Sequence, residues 1–219
     1  MKASDWQQID TVLLDMDGTL LDLHFDNYFW LQHLPQRYAE HHGLSTEAAL
    51  TELNKSFTSL RGTLNWYCLD YWSELTGLDI IAMKRDLQHK IGFRPHVEDF
   101  LALLRQHSKR IVIATNAHRA GLALKLEQTG LDQLVDRIIS SHDYREPKES
   151  QAFWQHLQRE EPFDRERTLL IDDSQAVLES AARWGIRYLL TIYHPDSQQA
   201  PNRDSRFPGI DHFNELDIG

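Results

Sequence analysis

The stretch TVLLDMDGTLLD, residues 11–22, is apolar through Leu14 and then stops on two aspartates separated by one methionine. In a strand, residues i and i+2 project to the same face, so Asp15 and Asp17 share one patch of space at the strand end. Two carboxylates about 4 Å apart repel by roughly 4 kcal/mol at an effective dielectric near 20. A metal ion, a cationic side chain or a shared proton has to offset that cost.

The surrounding chain has 219 residues, 41% hydrophobic and 26% charged, enough for one sizeable core or a core with a smaller appended domain. No apolar stretch reaches the roughly 20 residues of a membrane helix, and MKASDWQQID has no signal-peptide h-region. A cytoplasmic protein with no membrane partner is expected. The lone Cys68 excludes an internal disulfide and a thiolate cluster. A net charge of −10 and the lack of a basic, aromatic-interleaved run exclude a nucleic-acid polymer as partner. A small anionic substrate remains compatible if a cation screens the acidic site; the sequence sets no oligomeric state.

Five apolar runs read as strands buried on both faces: Thr11–Asp15, Arg110–Thr115, Arg137–Ser141, Thr168–Asp172 and Arg187–Tyr193. Amphipathic segments alternate with them from Arg94 onward, which predicts a doubly wound parallel α/β sheet, Rossmann-like. Residues 23–93 carry no strand-like run and are too long for a loop. They read as helices over Asn27–His42, Ser45–Leu60, Asn65–Thr76 and Asp79–Lys90, with Ser45 and Asp79 as N-caps. The expected organisation is a core of residues 1–22 and 94–219, with a helical cap of residues 23–93 over the carboxyl edge of the sheet.

Open α/β sheets bind ligands outside the carboxyl ends of their strands. The strands deliver Asp15-Met16-Asp17-Gly18-Thr19, Thr115-Asn116 and Asp172-Asp173-Ser174 there, and Lys148 lies where the loop after the third strand meets the next helix. Four aspartates in one crevice favour a hard divalent cation, and Mg²⁺ suits a site of few carboxylates completed by water and phosphate oxygens. The chemistry this set supports is phosphoryl transfer. Asp15 attacks phosphorus to give an aspartyl-phosphate, and Asp17 protonates the leaving oxygen and later takes a proton from water. Lys148, the Thr115 hydroxyl and nearby main-chain N–H groups, among them that of Gly18, are expected to hold the phosphoryl oxygens, with Asn116 beside them.

DMDGT, a strand ending in TN, a later PK and a terminal IDDS, in that order, resemble the four motifs of the haloacid dehalogenase-like hydrolases. The resemblance implies that Asp15 is the nucleophile, Asp17 the acid/base, and Thr115 and Lys148 phosphate ligands. It further implies Mg²⁺ held by Asp15, the Asp17 main-chain carbonyl and Asp172, with Asp173 orienting a metal-bound water. Glu149 departs from the proline many relatives carry after the lysine. LLDMDGTLLDLHFDNYFW, TLNWYCLDYWSE and KLEQTGLD are similar to the bacterial GMP/IMP 5′-nucleotidase subgroup. That similarity implies purine nucleoside monophosphates, and flavin mononucleotide beside them, as substrates.

Several plainer readings compete. DMDG as a calcium loop fails, because an EF-hand needs glycine at the sixth position, where Leu20 stands, and a preceding helix. Trp30, Trp66, Tyr67, Tyr71 and Trp72 are first of all candidates for the insertion's core, with one or two expected to face the substrate. His24, Asn27, Arg61, Asn65 and Lys84 are candidate polar contacts. His118 is near the site by position, and Cys68 reads as a small core residue. A sugar phosphatase or phosphomutase would use the same core. A phosphoacceptor signalling module would place its acid pair first, opposite to the order here.

Overall fold

The computed structural model describes residues 3–218. Six strands form one parallel sheet in the order β3-β2-β1-β4-β5-β6: β1 Thr11–Leu14, β2 Arg110–Thr115, β3 Arg137–Ser140, β4 Thr168–Asp172, β5 Tyr188–Ile192 and β6 Gly209–Ile210. The helices α8 (Val97–Gln106), α9 (Arg119–Thr129), α10 (Ser141–Tyr144), α11 (Gln151–Glu160) and α12 (Gln175–Trp184) connect them, and α1 (Ala3–Trp6) precedes the sheet. Successive strand residues face opposite ways, so Val12, Leu14 and Ile113 join one apolar cluster while Leu13, Val112 and Leu170 join the other. Helices cover both faces, which is why the strands read as continuous apolar runs. The doubly wound parallel sheet is therefore the fold. β6 went unread because two residues carry no hydrophobic run; Gly209 admits it, since a Cβ there would lie 2.5 Å from Thr191 Cγ2.

Between β1 and β2 the chain is helical: α2 (His24–Tyr28), a π-helical turn (Phe29–His33), α3 (Leu34–His42), α4 (Thr46–Leu60), α5 (Leu64–Tyr67), α6 (Leu69–Thr76) and α7 (Ile80–Asp86). Ser45 and Asp79 cap α4 and α7 by accepting from the Ala48 and Ala82 amides. The helix expected over Asn65–Thr76 is instead two, because Cys68 is extended (φ −83°, ψ 108°); Trp72 Nε1 donates to the Trp66 carbonyl across the break. The segment has its own core of Phe29, Leu34, Leu53, Phe57, Leu69, Trp72 and Ile80. Its exit and return are pinned together: Leu21 bridges Phe93, and the Asp22 amide donates to the Gly92 carbonyl. Buried Arg94 completes the junction by donating to the carbonyls of Thr19, His194 and Asp211. Among the described residues no helix is long and apolar enough to cross a membrane.

Candidate active site

Asp15 lies one residue past β1, Thr115 and Asp172 are the last residues of β2 and β4, and all three are buried. These ends are adjacent because β1 sits between β2 and β4 in register. Together with Asp17, Asn116, Lys148 and Asp173 they line one cavity of about 300 Å³, at the lower end of the volume of small-molecule sites. Its opposite wall comes from the insertion, through Asp26, Asn27, Trp30, Trp66, Tyr67 and Lys84.

Two lysines organise the charges. Lys148 Nζ donates to Asp15 Oδ1 at 2.5 Å, Asp172 Oδ2 at 2.7 Å and the Ala114 carbonyl at 3.0 Å, so its three donors are all engaged. Lys125 Nζ donates to Asp17 Oδ1 and Asp26 Oδ2, both at 2.6 Å, and Lys84 Nζ reaches Asp26 Oδ1 at 2.6 Å. The Lys84 ammonium also lies over the rings of Phe25, Phe29 and Trp30. Burial lowers the affinity of Lys148 and Lys125 for their protons, but the flanking aspartates outweigh it and raise both pKa values.

The carboxylates respond in opposite directions. Burial pushes Asp15 up to about 6 against Lys148, with Asp172 adding to the rise, and burial with Asp26 and Asp15 pushes Asp17 up to about 6 against Lys125. Burial, Asp15 and Asp172 hold Asp173 well above the usual carboxylate range. Asp26 is the exception: burial raises it, yet Lys125 and Lys84 together hold it well below. Among the described residues five aspartates and three lysines line the cavity, leaving two formal negative charges, the charge one divalent ion would neutralise. One carboxylate oxygen each from Asp15, Asp172 and Asp173 lies within 4.8 Å of the others, an oxygen-only donor set that fits a hard cation.

Gly18 plays a different part from the one expected of its amide. Its N–H donates to the Leu21 carbonyl at 2.8 Å, closing the turn instead of facing the cavity. The residue is required because φ is +87° and a Cβ would fall 2.6 Å from Asp173 Oδ2. Asn116 has a positioning geometry: its Oδ1 accepts from the Lys148 main-chain N–H at 3.0 Å and its Nδ2 donates to Glu149 Oε2 at 3.1 Å. Glu149, the departure after Lys148, also accepts from the Tyr67 hydroxyl at 2.8 Å, joining insertion to core.

Of the polar candidates in the insertion, Asn27 and Lys84 line the cavity, whereas Arg61 and Asn65 are exposed and do not. His24 faces buried Asp196 at 3.5 Å, outside the cavity lining, and Asn27 donates to the same residue. Among the aromatics Trp30, Trp66 and Tyr67 reach the cavity, Trp72 is core, and Tyr71 packs edge-on against it. Lys125 and Asp26 were missed by the sequence reading. The available signal was a lysine on the buried stripe of α9, one turn beyond Gly121 and Leu122.

A family model for haloacid dehalogenase-like hydrolases matches residues 12–191. The chain is 44% identical over 211 residues to the protein named GMP/IMP nucleotidase YrfG of Escherichia coli, covering 96% of this chain and 95% of that one; the Shigella flexneri protein of the same name matches equally. Among solved structures, a HAD phosphatase from Thermococcus onnurineus superposes with a TM-score of 0.77 at 19% identity, over 94% of this chain and 95% of that one. A HAD-hydrolase of Bacillus subtilis, YfnB, described as bound to magnesium, gives 0.67 at 19% identity over 94% and 96%. With the motifs in order on one sheet edge and a model match spanning most of its length, the chain belongs to the haloacid dehalogenase-like hydrolases.

Proposed function

We propose that this chain is a Mg²⁺-dependent phosphomonoesterase that hydrolyses purine nucleoside 5′-monophosphates through an aspartyl-phosphate on Asp15. The observation that carries the chemistry is Asp15 itself, buried at the cavity floor with one oxygen on Lys148 and Asp17 beside it on a separate lysine. A carboxylate held that way presents its other oxygen to a phosphoryl group. Asp15 attacks phosphorus as the bond to the nucleoside 5′-oxygen breaks, and Asp17 gives that oxygen its proton. Burial, with Asp26 and Asp15 beside it, holds the Asp17 carboxyl above the ordinary aspartate range, which suits it to give and take a proton near neutral pH. Water then attacks the phosphorus of the acyl phosphate, gives its proton to Asp17, and Asp15 is released with inorganic phosphate.

Asp15, Asp172 and the Asp17 carbonyl would hold the cation, and Asp173 would orient its water. When bound, the ion neutralises the surplus carboxylate charge and the phosphoryl oxygens. Asn116 fixes the Lys148 main chain, Thr115 faces the phosphoryl group, and residues 23–93 act as a cap that excludes bulk water. The purine assignment rests on the extended identity to proteins named GMP/IMP nucleotidases, which includes the insertion, and on Trp30, Trp66 and Tyr67 in the cavity wall. The test is phosphate release from nucleoside monophosphates, flavin mononucleotide and sugar phosphates, with Mg²⁺ or excess EDTA. Metal-dependent release led by GMP and IMP is expected. Release led by a sugar phosphate would keep the chemistry and discard the purine substrate.

A further inference from the structure

Away from the carboxylates, Cys68, His118 and His142 converge from three elements: the break between α5 and α6, the N-cap of α9 and the first turn of α10. One ligand atom from each lies within 4.8 Å of the other two. The imidazole centroids are 4.9 Å apart with planes at 88°. His118 Nδ1 and His142 Nε2 are both buried, and neither has a hydrogen-bond partner among the described residues. A buried polar atom left unpaired costs about 1–3 kcal/mol, and here two belong to neighbouring imidazoles that share a cluster with a thiol.

The opposite nitrogen of His118 is held: its Nε2 faces Asp70 Oδ2 at 3.5 Å. One ring nitrogen held by a carboxylate, with the other left without a hydrogen bond, is the arrangement of metal-ligating histidines. We propose that Cys68, His118 and His142 form a second cation site, for zinc or a similar borderline divalent ion, that pins the helical insertion to the sheet domain. One thiolate and two imidazoles suit such an ion, whereas Mg²⁺ takes oxygen donors, so the site is chemically distinct from the aspartate cluster. Tetrahedral zinc holds such donors about 3.3–3.6 Å apart, so the three groups need close by at most roughly 1.5 Å. Cys68 belongs to the insertion and both histidines to the core, with His118 in the cavity wall. An ion there fastens the two together beside the substrate.

The proposal stands apart from the phosphatase reading, because binding is read without turnover. Reduced, chelator-stripped full-length protein is titrated with Co²⁺ in excess Mg²⁺, and Zn²⁺ affinity is measured against a chromophoric chelator. One equivalent of Co²⁺ should give a thiolate-to-cobalt charge-transfer band with intense four-coordinate visible bands, and Zn²⁺ should bleach them. Cys68→Ser should remove the charge-transfer band, His142→Gln should weaken Zn²⁺ binding at least tenfold, and Asp172→Asn should retain the band. A wild-type Co²⁺ complex without a thiolate band overturns the proposal, whatever the variants' folding. Zn²⁺ binding unchanged in His142→Gln also overturns it.

Discussion

The cavity contains two lysine-centred ion groups that look alike and are built differently. Lys148 ties Asp15 to Asp172, all three buried and all carried by the sheet domain. Lys125 ties Asp17 to Asp26, and Asp26 continues to Lys84, so this group crosses from α9 in the core to α2 and α7 in the insertion. In the first group both aspartates are fixed by strand register. The second depends on how the insertion sits on the sheet, so any movement of the insertion reaches Asp17 before it reaches Asp15. Charge balance differs too. Lys148 stands alone between its two aspartates, whereas Asp26 has a second cation.

The largest effect belongs to the first group: Asp15→Asn should lower phosphate release by roughly a thousandfold or more while leaving the circular dichroism unchanged. Turnover near wild type would remove Asp15 as nucleophile and with it the contrast in roles. Lys148→Ala should cost about 3–5 kcal/mol in denaturant unfolding of the metal-free protein, because two buried carboxylates lose the ammonium they share. Lys125→Ala should cost less, since Lys84 still holds Asp26; equal losses would break the comparison.

Magnesium binding should depend on pH. Its ligands must be deprotonated, and Asp15 is pushed up to about 6, so the Mg²⁺-induced rise in Tm should be larger at pH 7.5 than at pH 5.5. The sign follows from competition: as pH falls through about 6, a proton occupies the carboxylate that the ion needs. An equal rise at both values would place the ion elsewhere. The smallest effect is expected at the latch between the regions. Tyr67→Phe removes the hydrogen bond to Glu149 and should raise KM a few-fold with kcat nearly intact, measured by steady-state phosphate release.

Legibility in the sequence followed the same division. Asp15, Thr115 and Asp172 were readable because strand period and the carboxyl-edge rule act locally and each strand announces its own end, and Lys148 from its place where the loop after the third strand meets the next helix. Lys125 and Asp26 were not readable as partners, because their meeting depends on the rotation of two helices separated by 99 residues. Glu149 read as a flaw after Lys148, and its meaning appeared only when Tyr67 and Asn116 arrived at its carboxylate. The Asn65–Thr76 pattern looked like one helix, since helical periodicity does not register a single extended residue at Cys68.

By itself the sequence determined a parallel doubly wound sheet, a helical segment after its first strand, and an acidic site at the carboxyl edge. Hydrophobic period and strand-end chemistry are short-range properties, and they suffice for that. Only the tertiary structure decided which lysine serves which aspartate, that Gly18 is needed for space beside Asp173, and that Cys68 meets two histidines. Those outcomes depend on the packing of side chains distant in sequence, where an ångström of approach separates an ion pair from a solvated charge.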